Sequence, residues 1–458
     1  MLVKTLRCML EETMNTNHQE SKTENISGST INGQSTNPQK IVIIGSGIAG
    51  LSAAKAAREQ DPLAEITILS QESDPPFYRL RLCELIGKQT PYENLYIHPS
   101  AWYTERKITL LLSHRVLSID DAAKFVITDN GKFSFDSLII SSGSVSFMPP
   151  FIGKDLPGIH TLWDIRDLPA INSALQECRH AVVIGGGLLG LETAYCISRM
   201  AIPTAMVEGM PRLLPKQLDE EGSALIKKKA ESYGISVTTG QSVKEFRGDG
   251  RVEEVVLADG QVLEADFVAV LVGVRPNTGI CTGSRIFVDR YIPVDDKMHV
   301  TILSGNSPAD GVSLNPADSR ISSKISDSIY AAGDVSSFEN KWFGQWSVAT
   351  LQGQIAGTNA AGGDALYSME NSPYVLNTME TRVVVSGEGI ISEGEDIEIL
   401  ADTVQDTCSY MKLVFRKGIL VGGILIGNYS SRFVNLQSLI KSQATKESIL
   451  LSDFFPRR

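Results

Sequence analysis

An α/β fold built on two parallel sheets, followed by a separate α+β domain, is what the sequence predicts. Three observations predict it. The stretch Ile41 to Gly50, IVIIGSGIAG, is nearly repeated at Ala181 to Gly190, AVVIGGGLLG. Each copy joins a short apolar run to a helical pattern that leads into a second apolar run. From Tyr374 onward the texture changes to strands separated by glycine turns.

Taken in chain order, KIVIIG reads as a buried strand, LSAAKAAREQ as a helix stopped by Asp61-Pro62, and EITILS as the next parallel strand. HAVVIG, LLGLETAYCISRM and, after Pro203, TAMVE repeat that order. These are two βαβ units, whose strands are apolar throughout because a parallel sheet is covered on both faces. In the last part RVVVSG, YMKLVFRKG and ILVGGILIG read as strands, and VNLQSLIKSQ as a helix. Residues 14–39 hold Asn, Ser, Thr, Gln and Glu with almost no large apolar side chain, which predicts a disordered tail over residues 1–39. Leu303 to Lys324, rich in Ser, Asn, Asp and Pro, reads as a surface insertion.

Bulk properties narrow the function. The 458 residues leave room for about three domains. A formal charge of -11, with Lys and Arg scattered among acids, argues against a nucleic-acid partner. Six cysteines lie far apart with no close pair, so neither a disulfide framework nor a metal site is readable, and a reducing compartment is expected. Charged residues interrupt the apolar runs of the N-terminus, and polar residues fill Trp342 to Gly363, so the sequence predicts no signal peptide, no membrane span and a cytoplasmic location.

The glycines carry the chemistry. Gly45, Gly47 and Gly50 fit G-x-G-x-x-G between a strand and a helix, where a tight turn, the approach of a pyrophosphate and close helix packing each exclude a Cβ. Glu72, after the second strand, is placed to bond a ribose hydroxyl. Gly185, Gly187 and Gly190 repeat the spacing, and Glu208 repeats the acid. Two dinucleotides side by side suggest a flavin and a nicotinamide donor with hydride passing between them.

From Lys40 onward the chain resembles the pyridine nucleotide-disulfide oxidoreductase superfamily. Three further motifs carry the likeness: LIISSGSVSFMPP around Gly143, VLVGVRPNT from Val270 to Thr278, and IYAAGDV with Gly333 and Asp334. The resemblance implies a glutathione-reductase-like arrangement of two nested Rossmann-like domains. FAD would be held by residues 40–149 and 272–363, NADH by 150–271, with 364–458 as the α+β domain and a dimerisation surface. It also implies that Asp334 bonds the ribityl chain and that the helix from Trp346 points its N-terminus at the flavin ring.

The branch is read from FYRLRLCE, which resembles NADH:rubredoxin reductases and the flavoprotein half of nitrite reductases. Leu80 stands where single-thiol branches carry a redox Cys, and Cys83 is expected to be a packed, inert thiol. Glu84 occupies the place of a Lys that in many relatives pairs with the acid here named Glu192, so Arg79 or Arg81 is the expected partner and Glu192, Arg79 and Arg81 the expected catalytic set. The expected function is transfer of electrons from NADH through FAD to a small redox protein such as rubredoxin. A peroxide-forming NADH oxidase and a flavin-bound NADH-sensing interaction protein are the alternatives. Arg79, Arg81, Lys88, Arg106 and Lys107 are the basic residues expected to dock the acceptor, and Glu208 should favour NADH over NADPH, with Arg212 the nearest opposing charge.

Overall fold

The computed structural model describes residues 37–88, 90–304, 322–368, 373–391, 394 and 396–450. The tail expected over residues 1–39 and the insertion expected at Leu303 to Lys324 fall largely outside the described residues.

The first strand, β1 (Lys40–Ile44), runs into helix α1 (Ile48–Gln60), then β2 (Glu65–Leu69), β3 (Ile108–Leu111) and β4 (Ser137–Ile140). Ile41 and Ile43 face one side of the sheet, Val42 and Ile44 the other, and all four are buried. A strand covered on both faces is therefore an unbroken apolar run. Helix α1 stops at Asp61, where the Arg58 guanidinium donates to the carbonyls of Asp61, Pro62 and Ala64 and satisfies acceptors beyond the last turn.

After β4 the chain leaves through Ser144–Ser146, which pairs antiparallel with Val274–Pro276 on the way back. Between these crossings lies the second sheet, β5 (Ala181–Ile184), β6 (Thr204–Glu208), β7 (Ile235–Thr239) and β8 (Phe267–Val270), with helix α2 (Leu188–Ser198) joining β5 to β6. All its pairings are parallel, in the order β7-β6-β5-β8, with the short strand Ile159–His160 beyond β8 as the fifth. The returning chain supplies β9 (Ser323–Ala331), which pairs parallel with β4, so the first sheet has a parallel core ordered β9-β4-β1-β2-β3. Strands from both sides of the second sheet thus share one sheet.

The return is locked by helix α3 (Trp346–Ala360), which crosses α1 with backbones in contact. A Cβ on Gly353 would run into the carbonyl of Ala49, and one on Gly357 into that of Ala53. Glycines four residues apart on one helix face alanines four residues apart on the other, the spacing of a single helix face.

The last domain is an antiparallel sheet of β10 (Tyr374–Thr378), β11 (Thr381–Gly387), β12 (Ile397–Val404), β13 (Ser409–Arg416) and β14 (Ile419–Ile426), ordered β10-β11-β14-β13-β12. Helix α4 (Phe433–Lys441) covers it through Leu436. A buried charge cluster ties this domain to the second sheet's layer. Asp219, the N-cap of helix Glu220–Ser232, accepts from Lys412 Nζ (3.0 Å), Tyr410 Oη (2.8 Å) and Gly222 N (3.0 Å). A buried ammonium is tolerated because it is paired and hydrogen-bonded. Among the described residues no helix is long and apolar enough to cross a membrane.

The α1–α3 contact yields a direct test. Gly357→Val forces the helices apart and should cost about 1–3 kcal/mol, the range for overpacking. The measurement is the denaturant midpoint, and an unchanged midpoint would contradict the close approach.

Candidate functional site

The two glycine turns match partner for partner. Gly45 N donates to Leu69 O and Gly185 N to Val207 O, both at 2.8 Å, each turn thus hanging from the neighbouring strand. Gly45 and Gly185 take φ +99° and +114°, and a Cβ on either would strike the backbone carbonyl of Ser141 or Leu271. Gly50 and Gly190 each lie against the carbonyl of the first glycine of their own turn, so a side chain there would part helix from strand. Gly47 and Gly187 differ. A Cβ built on either meets nothing within 4 Å. The first and third glycines are required by the fold, whereas the second faces open space at a helix N-terminus, where a pyrophosphate would rest on free N–H groups.

The two acids are held differently. Glu208, ending β6, accepts from Gly186 N (2.6 Å) and Met210 N (2.7 Å), which fixes its carboxylate at the lip of the second turn. Arg212 does not contest it, because its guanidinium donates to the carbonyls of Leu218 and Pro215. Glu72 is paired instead with Arg79 (2.6 Å), whose other nitrogen donates to Trp163 O.

At the same carboxyl edge of the first sheet, beside the Gly45 turn, the motifs around Gly143 and Asp334 meet. Ser144 Oγ donates to the Asp334 carboxylate (2.8 Å), and Gly143 and Gly333 turn the chain at φ +66° and +80°. Burial pushes the Asp334 carboxyl above its ordinary value, partly offset by Ser144 and the charge of Arg79. A cavity opens here between Gly333, Asp334, Phe343, Gln345, Val348 and Gln352. Gln352 Oε1 accepts from Gly333 N (2.9 Å), while Gln352 Nε2 and Gln345 Oε1 are buried with no partner. Such orphaned groups fit a polar ligand in the cavity. Tyr78 stacks on Trp346 at 5.6 Å, flanking the N-terminus of α3. Sequence reasoning missed Gln345, Gln352 and Ser144, although Gln352 lies in the helical segment from Trp346 and Gln345 is its N-cap.

The expected pairing of Glu192 with Arg79 or Arg81 is corrected by the structure. Arg79 is bound to Glu72, and Arg81 is bound bidentately to Glu84 at 2.8 and 2.9 Å. Glu192, on α2, accepts instead from Met379 N (2.7 Å) at the turn between β10 and β11. Burial raises its pKa, the Met379 N–H opposes that, and the nearby Glu84 charge adds to it. The same helix holds Cys196, whose thiol lies beside Cys83. That contact and burial push the Cys83 thiol well above its ordinary value. Cys83 is 1% exposed and Leu80 51% exposed. Of the basic residues expected to dock the acceptor, Arg79 and Arg81 are paired with Glu72 and Glu84, and Arg106 lies 3.9 Å from the exposed Glu105. Among the described residues no group of three or more His, Cys, Asp or Glu could hold a metal ion.

Comparison with known proteins agrees with this geometry. Residues 39–305 match the family described as pyridine nucleotide-disulphide oxidoreductase, and residues 375–444 match the rubredoxin NAD+ reductase C-terminal domain. The chain is 30% identical to a nitrite reductase [NAD(P)H] of Bacillus subtilis (strain 168) over 89% of its own length, and spans about half of that relative (48%). It is 29% identical to an NADH-rubredoxin oxidoreductase of Clostridium acetobutylicum, covering 85% of this chain and 92% of the relative. The crystal structure of NADH:rubredoxin oxidoreductase from Clostridium acetobutylicum superposes with a TM-score of 0.69 and 28% identity, over 91% of this chain and 100% of that one.

Two outcomes follow from the site. Gly47→Ala should fold normally yet lose the flavin from the purified protein, whereas Gly187→Ala should keep the flavin and weaken NADH binding at least tenfold, read by visible absorbance and by NADH titration. Equal loss of flavin in both variants would contradict separate sites. The second outcome concerns Glu192. Its folded pKa lies above its unfolded value, so the folded chain binds the extra proton and stability falls as pH rises through that window. Glu192→Gln keeps an acceptor for Met379 N and cannot ionise. It should equal or exceed the parent in Tm at neutral pH, and the gain should vanish as pH drops into the carboxylate range.

Proposed function

Because the chain belongs to the pyridine nucleotide-disulphide oxidoreductase family, we propose that this FAD-dependent NADH oxidoreductase passes its electrons singly to a small redox protein of the rubredoxin type. The observation that carries the choice of acceptor is the segment Arg79–Leu85, which exposes Leu80 and turns its thiol, Cys83, into the core. A relay through a protein disulfide would need a thiolate facing the cofactor, and a buried thiol with a raised pKa does not supply one. The match of residues 375–444 to the rubredoxin NAD+ reductase C-terminal domain supports the same acceptor.

FAD held by these residues would supply hydride acceptance from NADH and release of electrons one at a time. The chain binds and orients. In this proposal Gly45, Gly47 and Gly50 receive the FAD pyrophosphate, Glu72 its ribose, and Gly143, Gly333 and Asp334 its ribityl chain. Arg79, between Glu72 and the field it exerts on Asp334, offsets phosphate charge. Gly185, Gly187, Gly190 and Glu208 hold NADH. The N-terminus of α3 would offer its partial positive charge to the reduced ring and stabilise added negative charge. Glu192, with no cation in hydrogen-bond range among the described residues, would line the nicotinamide side as a positioning group held by the C-terminal domain.

Glu208 should dictate the donor. Its fixed carboxylate repels a 2'-phosphate, and Arg212 is committed to carbonyls, so NADH should be preferred over NADPH. Glu208→Ser should bring the two kcat/KM values toward parity, and a parent preference for NADPH would refute the assignment. The acceptor is tested by NADH oxidation under argon with rubredoxin. Turnover is expected, and Cys83→Ser should keep it within about twofold, as for a substitution outside the electron path. Turnover with oxygen but not rubredoxin would replace the acceptor, and loss of activity in Cys83→Ser with FAD retained would restore a thiol relay.

A further inference from the structure

A buried lysine of the C-terminal sheet reaches, through one loop, the turn assigned to NADH. Tyr410 and Lys412 lie two residues apart on β13, so both side chains leave the same face, while Met411 and Leu413 point the other way into the cluster that holds Leu436 of α4. Their partners across the strand pair are Ile426 and Ile424, both fully buried. The lysine thus stands on an apolar face. Its ammonium donates to Asp219 (3.0 Å) and to Ile391 O (3.0 Å), and Tyr410 Oη donates to the same carboxylate (2.8 Å). An apolar side chain would suit that face, since exchanging a buried ion pair for packed apolar groups is often neutral or stabilising. What the pair adds over packing is registry: it fixes where this sheet meets Asp219.

Asp219 ends the loop that begins at Glu208. The start of the loop hangs from the second sheet, with Gly240 N donating to Met210 O (2.8 Å) and Gln241 N to Glu208 O (3.2 Å). Its second half is a closed unit. Gln217 N and Leu218 N both donate to Leu214 O (2.9 Å each), and Arg212 Nε donates to Leu218 O (3.0 Å). That unit meets the glycine turn at two points: Leu214 N donates to Gly186 O (3.0 Å), and a Cβ on Gly186 would come within 2.5 Å of Leu213 Cδ2. Gly186 is therefore gripped on both sides, through its N–H by Glu208 (2.6 Å) and through its carbonyl by Leu214. At the other end of the unit, Asp219 caps helix Glu220–Ser232 and takes the C-terminal sheet's lysine.

We propose that Lys412 and Asp219 are positioning residues for NADH: by fixing the far end of this loop, the C-terminal sheet sets how Leu213 and Leu214 meet Gly186, and so the affinity of the second glycine turn for its dinucleotide. No electron or proton passes through the pair. The inference rests on the assignment of NADH to that turn and adds which residues outside it tune the site. Coupling of this kind is reciprocal, so a dinucleotide on the turn steadies β13 as much as the pair steadies the turn.

The test uses the intact flavoprotein with ferricyanide as acceptor, so the identity of the protein acceptor does not enter. Asp219→Asn/Lys412→Met removes both charges together and leaves an Asn to cap the helix. The KM for NADH should rise at least about fivefold while kcat at saturating NADH stays within about twofold and the flavin is retained, the pattern of lost binding rather than lost chemistry. An unchanged KM overturns the proposal whatever the Tm. Loss of flavin, or a kcat loss as large as the change in KM, marks general destabilisation and overturns it too. Gly187→Ala is the control: if it also leaves the NADH KM unchanged, the assignment of NADH to the second turn fails, whereas a raised KM there beside an unchanged one in the double variant removes only the role of the pair. Should the double variant not fold, amide hydrogen exchange of the parent decides. Saturating NAD+ should slow exchange in residues 409–416 as well as 185–190, and protection confined to 185–190 overturns the coupling.

Discussion

Everything at the site depends on how closely α3 can lie on α1. The first sheet is assembled from two stretches of chain separated by the whole second sheet, and no covalent link places the returning stretch. Its position is set where Gly353 and Gly357 let the backbone rest on Ala49 and Ala53. Ala49 lies within the first glycine motif, two residues after Gly47, and its Cβ also crowds Gly333, where an added Cβ would come within 2.9 Å of it. The same alanine thus packs against both the helix and the turn that carries Asp334. Gln352, one residue before Gly353, then reaches Gly333 N. The distance between the phosphate turn and the Asp334 cradle, which one extended dinucleotide must span, is fixed by helix packing.

The second constraint is electrostatic. The protein leaves few charges idle near the site. Glu208 is held by two backbone N–H groups, Glu72 by Arg79, Glu84 by Arg81, and Asp334 by a hydroxyl. Glu192 is the exception, since it is held by the Met379 N–H of the C-terminal domain in a setting that disfavours its charge. Tyr195, one turn along α2, also reaches that domain through Glu380 (2.8 Å). The C-terminal sheet therefore bears directly on the helix that follows the second glycine turn, in addition to its anchorage through Asp219 and Lys412. Movement of that domain would be felt at Glu192 first.

The glycine turns were legible in the sequence because each of their requirements is local: a strand end, a positive φ, and a helix start within ten residues. The acids at Glu72 and Glu208 were legible for the same reason. Side-chain pairing was not. Glu192 was expected to find Arg79 or Arg81, but those arginines have nearer carboxylates, Arg81 only three residues from Glu84, and the nearer partner wins. The contact of Cys83 with Cys196 and the meeting of Lys412 with Asp219 join segments more than a hundred residues apart, where no spacing rule operates. The buried amides of Gln345 and Gln352 were invisible for a further reason: their importance lies in the polar groups they leave unpaired, which only packing reveals. The nested order of the sheets came from family resemblance; composition and periodicity alone would have allowed two consecutive domains.

The central claim is that the flavin is the sole redox group between NADH and the acceptor. Anaerobic titration of the purified flavoprotein with NADH measures this directly through the visible flavin band. The account requires full bleaching after one NADH per flavin. A requirement for two NADH per flavin would mean that a second two-electron group, such as a disulfide between Cys83 and Cys196, takes part, and would contradict it.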